Sequence, residues 1–577
     1  MKNLEISKIF REISDILEIK GENVFRIRAY QRAAQNIEGL TRDIAEYVKK
    51  DMLGDIPGIG KDLSERIKEF AATGKIKIYE DLKKSIPAGL LELLKIPSVG
   101  PKTAKLLFEE LKIKNIADLE KAIEQKKLVG IFGIKQKTVE NILKGIELVK
   151  KGKERMTLAQ AIQVADEFLR PLGQLPEVKR ITSAGSLRRQ KETVRDIDIL
   201  IISSKPQKVM DAFAALPPVK ETLAQGPTKS SVLTHDDIQV DCRVEEEQSF
   251  GAALLYFTGS KNFNIKLRTI AQKMGFKINE YGVFSATKGG GKEGAKYLCG
   301  KTEEEIFELF GLPYIEPELR EDSGEIELAR EGRLPHLITL KDIKGDLHAH
   351  SSWSDGGNSI EELARAAQKL GYSYIAITDH SQSLKVAHGL SLRELKRKRA
   401  EIDAINKKLA NFRVLYGTEA DIDSEGKIDY KDEILKEFDV VIAAIHTGFK
   451  QSQRQLTKRL VRACENKYVH IIAHPTGRLW GSRESYPVDF EELFKVAGDT
   501  NTAMEINSFP NRLDLNDLNC RRAKESGVRL CINTDSHAAE QLELMKLGVS
   551  VARRGWLEKQ DVINTLNLNS LLIALKK

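Results

Sequence analysis

Five short segments in the last third of the chain hold six of its ten histidines: Asp346-Leu-His348-Ala-His350, Thr378-Asp379-His380, Ala444-Ile-His446, Ala473-His474-Pro475 and Thr534-Asp535-Ser-His537. Neutral imidazole is the commonest metal ligand among side chains. Nearly every one of these histidines stands beside an Asp, a small residue or the end of an apolar run, which a random scatter would not produce. A chain marked in this way has to fold so that segments far apart in sequence meet around metal ions. The neighbouring residues point to hydrolysis of phosphate esters.

The chain has 577 residues, enough for several domains. Charged residues are 31% and hydrophobic residues 41%, as in soluble globular proteins. The net charge of +8 is modest for this length, but the first part of the chain is dense in Lys and Arg, as in Lys135-Gln-Lys137 and Lys150-Lys151-Gly-Lys153. Such a region suits a polyanion, although solvated helix faces have the same composition. Five widely spaced cysteines form no CxxC pair, which fits a reducing compartment. Met1-Lys-Asn-Leu-Glu-Ile lacks the apolar stretch of a signal peptide, and no apolar run is long enough to span a bilayer. A cytoplasmic protein with no membrane partner is expected.

Up to about residue 150, apolar positions recur at helical spacing (Ile6, Ile9, Phe10, Ile13, Ile16, Leu17). From Met156 to Val244 helix and strand alternate, and Ile197 to Ile202 and Ile238 to Val244 read as strands. An acidic, poorly periodic stretch beginning at Pro317 reads as the start of a linker, with packing on its neighbours as the alternative. From about Thr339, short strands ending in ligand-type residues alternate with helices such as Ser359 to Leu370. That βα repetition suggests a barrel, whose active residues gather at strand C-termini.

The helical region contains a repeat: Ile56-Pro57-Gly58-Ile59-Gly60, Ile96-Pro97-Ser98-Val99-Gly100-Pro101-Lys102 and a weaker copy, Val129-Gly130-Ile131-Phe132-Gly133-Ile134-Lys135. Glycine lets such turns run tight and leaves backbone N–H groups exposed at a helix N-terminus, where a phosphate binds without any base being read. The segments resemble helix-hairpin-helix motifs. Gly58, Gly60, Gly100 and Lys102 are therefore candidate contacts to a DNA backbone.

Gly185-Ser186-Leu187-Arg188-Arg189 precedes Arg195-Asp196-Ile197-Asp198. Residues two apart in a strand share a face, so Asp196 and Asp198 point the same way. Carboxylates held together repel unless a cation lies between them, and Asp241 on the second strand is placed to complete the set. Three carboxylates and a triphosphate suit two Mg²⁺ ions. Ser186 and Arg189 are placed to hold phosphate oxygens.

With Tyr256-Phe257-Thr258-Gly259-Ser260, Asn264, Arg268 and Asn279-Glu280-Tyr281-Gly282, these motifs resemble the family X DNA polymerases, the group that includes polymerase beta. The resemblance covers about the first 318 residues. It implies that Asp196, Asp198 and Asp241 are catalytic ligands of Mg²⁺ or Mn²⁺, with Asp241 best placed to accept the primer 3′-hydroxyl proton. It further implies that Ser186, Arg189 and Gly259 lie at the incoming dNTP, with Tyr256 and Phe257 against its sugar, Asn264 near its base edge and Arg268 at the template. Two departures stand out. Lys261 replaces an Asp that faces the nucleotide base in relatives. Arg66 replaces the lysine that forms a Schiff base with an abasic sugar, and Asp62 replaces a second lysine. A guanidinium stays protonated and is a poor nucleophile, so little or no lyase activity is expected at this helix.

The first histidine motif, extended to Ser351-Ser-Trp-Ser354-Asp355-Gly356, resembles that of the PHP (polymerase and histidinol phosphatase) family, and Gly417-Thr-Glu419 falls in register with the others. The resemblance implies a distorted (β/α)₇ barrel and a trinuclear site of Zn²⁺ and/or Mn²⁺. Its ligands would be His348, His350, Asp355, His380, Glu419, His446, His474, Asp535 and His537, with Glu419 bridging two ions. His235, His336, His388 and His470 lie outside the motifs and read as structural or surface residues. Lys385, Arg478 and Arg512 are candidate phosphate contacts.

A multidomain chain is therefore expected: an all-α helix-hairpin-helix N-terminal region (1–80 and 81–154), an α/β nucleotidyltransferase palm (155–245), a small thumb (246–318), a linker (319–338) and the PHP barrel (339–577). The resemblances imply a monomeric DNA repair polymerase that adds dNTPs to gapped or primer-template DNA. They also imply a 3′–5′ exonuclease or 3′-end-processing activity and, in some relatives of this layout, cleavage at abasic sites. The competing expectations are a barrel that hydrolyses a small phosphoester, or a barrel that is a non-catalytic, metal-stabilised DNA platform.

Overall fold

The computed structural model describes residues 2–577 apart from 39–43, 57, 95, 97–98, 129–130, 132–133, 135–137, 141, 144, 147–154, 286–295 and 481–482. Most of the third glycine repeat and Lys135, Lys137, Lys150, Lys151 and Lys153 lie outside the described residues. So does the expected boundary at 154. The described part of the first 146 residues is helical. The apolar stripe of the helix Lys2–Lys20 (Ile6, Phe10, Ile13, Leu17) is fully buried against the helix Val24–Glu38, and the Phe10 and Tyr30 rings meet edge to face, 5.3 Å apart. A second core collects Leu90, Leu93, Val99, Ala104 and Leu107.

The next unit is built on a five-stranded sheet. Its strands are β1 (Val178–Ser183), β2 (Ile197–Ser203), β3 (Val219–Gln225), β4 (Lys229–Thr234) and β5 (Gln239–Glu245), in spatial order β1-β2-β5-β4-β3. Only the β2–β5 pair is parallel. Alternation along β2 sends Ile197, Ile199 and Ile201 to a core with Phe168, Met210 and Phe213, and Leu200 and Ile202 to the helix Phe250–Thr258. Asp198 shares the second face, at the open end of the strand. A small antiparallel sheet follows: β6 (Phe276–Asn279), β7 (Gly282–Ser285) and β8 (Tyr297–Cys299).

Residues 319–338, expected to be a linker, are packed instead. Leu319, Arg320, Glu325, Ile326 and Ala329 are buried. The reason is charge pairing as well as apolar burial. Arg320 Nη1 lies 2.5 Å from Glu303 Oε1, and the other side of Glu303 is taken by Arg188 at 2.6 Å. Two guanidiniums against one carboxylate satisfy groups that could not otherwise leave water. Glu303 is held down at about 2, burial being outweighed by Arg320 and Arg188.

The C-terminal unit has seven parallel strands in sequential order: β9 (Gly345–Ala349), β10 (Tyr374–Ile377), β11 (Arg413–Asp421), β12 (Val440–Ala444), β13 (Ile471–Ile472), β14 (Ala503–Asn507) and β15 (Leu530–Asn533). The His350 N–H donates to Ser536 O at 2.8 Å, so the chain leaving the last strand returns beside the first and nearly closes the ring. The helix expected at Ser359 to Leu370 runs over Ile360–Lys369 with Ser359 and Glu362 in a capping box. All five cysteines are unpaired. Among the described residues no helix is long and apolar enough to cross a membrane.

Candidate metal centres and their junction

Each ligand-type side chain of the barrel sits at or just beyond the C-terminal end of a strand. His348 closes β9, with His350 and Asp355 in the loop after it. His380, His446 and His474 follow β10, β12 and β13, Glu419 lies in β11, and Asp535 and His537 follow β15. Strands of this barrel are buried on both faces, so a charged or imidazole side chain here needs a partner at the mouth.

The nine converge. Glu419 Oε2 is 2.9 Å from His380 Nδ1, 3.5 Å from His348 Nε2 and 3.6 Å from His350 Nε2, while its Oε1 is 3.0 Å from His474 Nε2 and 3.3 Å from His446 Nε2. Asp535 Oδ1 is 3.2 Å from His350 Nε2 and 3.4 Å from His348 Nε2. Asp355 Oδ2 is 3.4 Å from His537 Nε2 and 3.5 Å from His380 Nε2. Ligands bound at about 2.0–2.2 Å from one cation lie roughly 3–3.5 Å from each other, so these are the spacings of shared coordination. Three groups are tight enough to hold an ion: His350, Asp355, His380 and His537; His348, His350 and Asp535; His380, Glu419 and His446.

The nitrogens confirm that fit. His348 Nε2, both ring nitrogens of His350, His380 Nδ1 and His474 Nδ1 are buried with no hydrogen-bond partner. Buried polar atoms of this kind are costly unless something binds them. Burial and the neighbouring imidazoles push His350 down to about 4, which keeps the ring neutral with one nitrogen lone pair free. Burial opposes charge on His380 as well, but Glu419 and Asp355 raise it to about 10 in the metal-free protein. Burial is likewise outweighed at Glu419, which His446, His380 and His348 hold well below the carboxylate range.

Behind the ligands stand residues whose role the motifs do not reveal. Glu505, fully buried in β14, accepts from His348 Nδ1 at 2.7 Å and from His474 N at 2.8 Å. Asp421 lies 3.1 Å from His446 Nδ1. Such carboxylates fix the tautomer and orientation of a ligating imidazole. The available signal was an acid in the middle of an apolar strand (Glu505) or two residues beyond a ligand on the same face (Asp421).

The other site residues are placed as follows. Asp198 and Asp241 are register partners on the parallel strands β2 and β5, and Asp196 immediately precedes β2. Burial, then the like charges of Asp196 and Asp241, push Asp198 up to about 7. Asp241 accepts from Ser231 Oγ and, at 3.1 Å, from Gln239 Nε2. Among the described residues these three carboxylates do not form a group as tight as those in the barrel. Gly185 has φ +62°, and a Cβ there would lie 2.2 Å from Asp198 Oδ2, so only glycine brings the Ser186 turn this close to the strand. Ser186 is half-buried beside it. The Phe257 and Tyr256 rings stand edge to face at 5.0 Å, with the Arg243 guanidinium over Phe257 and that of Arg268 over Tyr256. Asn264 Nδ2 donates to Tyr256 O at 2.7 Å, and Tyr256, Asn264, Arg268 and Asn279 line one small cleft. Gly259, at φ +70°, ends the helix that carries both rings.

Arg189, expected at the triphosphate, has internal partners for its side chain. Nε donates to Glu321 Oε1 at 3.0 Å and Nη1 to Thr258 O. Arg478 does too: Nε donates to Arg512 O at 2.9 Å, Nη2 to Leu513 O, and Nη1 to Glu192 Oε2 at 3.0 Å. Arg512 is better placed, with Nε 3.4 Å from Asp535 Oδ2 and Nη1 buried without a partner. Lys385 is exposed on the loop after His380. His235, His336 and His388 are exposed, and His470 Nδ1 accepts from Val441 N at 2.9 Å, outside the centre.

The Gly185–Glu192 turn also docks on the barrel. Arg554, 3% exposed, reaches Arg189 O at 2.8 Å, Glu321 Oε1 at 3.1 Å and Asp517 Oδ2 at 2.7 Å. Ser550 Oγ donates to Gln190 Oε1 at 2.9 Å.

In the helical region Gly60 and Gly100 are the N-caps of the helices Lys61–Thr73 and Pro101–Leu111, with no side-chain cap and with open space where a Cβ would stand. Gly58 takes φ +80°, and Lys102 is exposed. Arg66 pairs with Asp62 at 3.3 Å and Glu69 at 3.7 Å on its own helix.

Family models match in the same order along the chain. They are a helix-hairpin-helix domain at 1–76, a SAM-like helix-hairpin-helix tandem at 90–147, the DNA polymerase beta thumb at 253–321 and a PHP domain at 346–509. The PHP match stops before Asp535 and His537, which the fold nevertheless brings to the same mouth. The chain is 42% identical over 579 residues, all of both chains, to the DNA polymerase/3′-5′ exonuclease PolX of Bacillus subtilis (strain 168). A probable phosphatase of Thermoanaerobacter sp. (strain X514) is 31% identical over 232 residues, 38% of this chain and 89% of that one. DNA polymerase lambda of Arabidopsis thaliana is 26% identical over 347 residues, 55% of this chain and 62% of that one.

Proposed function

The chain belongs to the family X DNA polymerases that carry a C-terminal PHP domain, and from that we propose that it both extends and trims DNA 3′ ends. The carrying observation is the pairing of two metal-type sites on one chain: Asp198 and Asp241 in register on the palm sheet, and nine converging side chains at the barrel mouth.

At the palm, Asp196, Asp198 and Asp241 hold Mg²⁺ or Mn²⁺. Two such ions supply charge to the attacking and leaving oxygens of nucleotidyl transfer. Ser186 and the backbone of its turn receive the triphosphate of a dNTP, Tyr256 and Phe257 bound its sugar, Asn264 approaches the base edge and Arg268 the template. Asp241, held by Ser231 and Gln239, is placed to take the primer hydroxyl proton. Arg189 serves from behind, fixing the Thr258–Gly259 turn. The uncapped helix N-termini at Gly60 and Gly100, with Gly58 and Lys102, grip the backbone of gapped or primer-template DNA.

At the barrel, His348, His350, Asp355, His380, Glu419, His446, His474, Asp535 and His537 hold three divalent ions, Zn²⁺ and/or Mn²⁺. These lower the pKa of bound water and polarise a phosphodiester. Arg512, with its unpartnered Nη1, receives the scissile phosphate of a 3′-terminal nucleotide. The gap-filling role follows from the two helical DNA-binding units, and the protein acts as a monomer in the cytoplasm. A phosphomonoester substrate is favoured only by the likeness of the barrel to the probable phosphatase. Covalent attachment to a palm and two DNA-binding units supports DNA instead.

The test is a 5′-labelled primer-template incubated with Mn²⁺, with and without dNTPs. Asp196→Ala with Asp198→Ala should abolish extension and spare degradation, and His348→Ala should do the reverse. Extension that survives the double change removes the palm assignment. Degradation that survives His348→Ala removes the barrel assignment.

A further inference from the structure

The mouth of the barrel carries one conspicuous aromatic that metal chemistry does not use. Trp480 is 36% exposed. The other two tryptophans have internal duties: Trp353 Nε1 donates to Glu401 Oε2 at 2.9 Å, and Trp556 is 7% exposed beneath the Arg521 guanidinium. Trp480 stands on the loop that begins at the ligand His474. Backbone bonds hold its described residues. Gly477 N donates to His474 O at 2.8 Å, the Tyr486 ring fills the space where a Gly477 Cβ would lie, and Leu479 and Arg483 exchange two 2.8 Å backbone bonds on either side of the tryptophan.

The backbone of Trp480 is also tied to the site from the other side. Trp480 N donates to Asn511 O at 2.7 Å, and the next residue, Arg512, lies 3.4 Å from the ligand Asp535. The Arg478 guanidinium lies 4.7 Å from the Trp480 ring centroid. An exposed indole thus stands against the internally held Arg478 guanidinium, and Arg512, one residue beyond the Asn511 that holds Trp480 N, is the cation beside Asp535 at the phosphoester site. Arginine interleaved with an exposed aromatic is how single-stranded nucleic acid is gripped without reading sequence: the charge takes the phosphate, and the ring takes any base.

We propose that Trp480 is a base-stacking post for single-stranded DNA 3′ ends, seating the base of the nucleotide whose phosphate lies at Arg512. The proposal rests on the 3′-end-trimming reading of the barrel, and adds the group that tells a nucleotide chain from a small phosphoester. A metal cluster and one arginine recognise only the phosphate. Stacking supplies the rest, at no cost in sequence tolerance.

Two measurements on the full-length protein test it. The first compares hydrolysis of 5′-labelled single strands ending in thymidine or in an abasic tetrahydrofuran residue, with Mn²⁺. The wild type should prefer the base-bearing end by roughly five- to hundredfold, the range of one stacked base. Trp480→Ala should bring that ratio close to one, and Trp480→Phe should keep most of it. The second uses no hydrolysis: in EDTA, an oligothymidylate should quench tryptophan emission of the wild type, and Trp480→Phe should lose most of the quenching. Quenching without hydrolysis in the wild type keeps the post and removes the trimming reading. Hydrolysis with no quenching difference, or with an unchanged base preference in Trp480→Ala, removes the post and keeps the trimming reading.

Discussion

Glu192 and Arg478, from the palm and the barrel, are joined by an ion pair of 3.0 Å in which each side chain is nearly buried. The same arginine donates to the backbone of Arg512 and Leu513, so one guanidinium ties the palm turn to the loop that faces the ligand Asp535. Burial pushes the Glu192 carboxyl up against the pull of Arg478. Arg478→Ala should therefore lower stability by about 3–5 kcal/mol, because it strands a buried carboxylate. Glu192→Gln together with Arg478→Met should cost clearly less than Arg478→Ala alone. Thermal unfolding of the variants checks this.

Glu303 between Arg188 and Arg320 predicts an acid-sensitive thumb. Its folded value of about 2 lies below the unfolded value of 4.5, so its contribution is present above about pH 4.5 and is lost as pH falls toward 2. Glu303→Gln should destabilise the protein by several kcal/mol at neutral pH, roughly the 3–5 kcal/mol of a broken buried pair. The gap to wild type should narrow as the pH is lowered through about 4. Urea midpoints at a series of pH values measure it.

Asp198 predicts the opposite dependence. Its folded value of about 7 lies above the unfolded 3.8, so ionisation in the metal-free palm costs nothing below about pH 4 and its full amount above about pH 7. Asp198→Asn should abolish extension yet raise stability in EDTA at pH 8, on the order of 2–4 kcal/mol. In the wild type, Mg²⁺ affinity at the palm should increase with pH up to about 7 and then level off. Isothermal titration at several pH values reads this directly.

Glu505 holds the His348 ring in place through Nδ1 at 2.7 Å. Glu505→Gln should reduce metal retention and 3′-end degradation by about 10- to 100-fold. Extension by the palm should be unaffected. Metal content after gel filtration, set beside both activities, separates this from general misfolding.

Arg66 offers no amine nucleophile for a lyase adduct, and its guanidinium is paired with Asp62 and Glu69 on its own helix. Borohydride trapping on an abasic substrate should give no adduct that maps to Lys61–Thr73. A strong adduct there would overturn this.

Much of the site was legible because ligands come in short motifs at strand ends, where a charged or imidazole side chain is too costly to keep without a purpose. The spacing of Asp196 and Asp198 and the glycine of Gly185-Ser186 are of the same kind: each is a local geometric demand. The internal partners of Arg189 and Arg478 were not legible for the converse reason. A guanidinium suits a phosphate and a carboxylate equally, and only the fold shows that Glu321 and Glu192 already occupy them. The segment after Pro317 reads first as a linker because two buried charges, Arg320 and Glu325, make a core-forming stretch look like a solvated one.

The histidine motifs, the strand-end placement of their side chains and the paired aspartates of the palm could be read from the chain alone, because each is written within a few residues and obeys the periodicity of strand and helix. Only the tertiary structure decided how the ligands group, that Glu505 backs His348, and that the turn at Arg189 to Glu192 is welded to the barrel through Arg478 and Arg554. Those contacts join residues 286 and 365 positions apart. Attraction between groups so distant leaves no local pattern in a chain and appears only when packing brings them together in a place that excludes water.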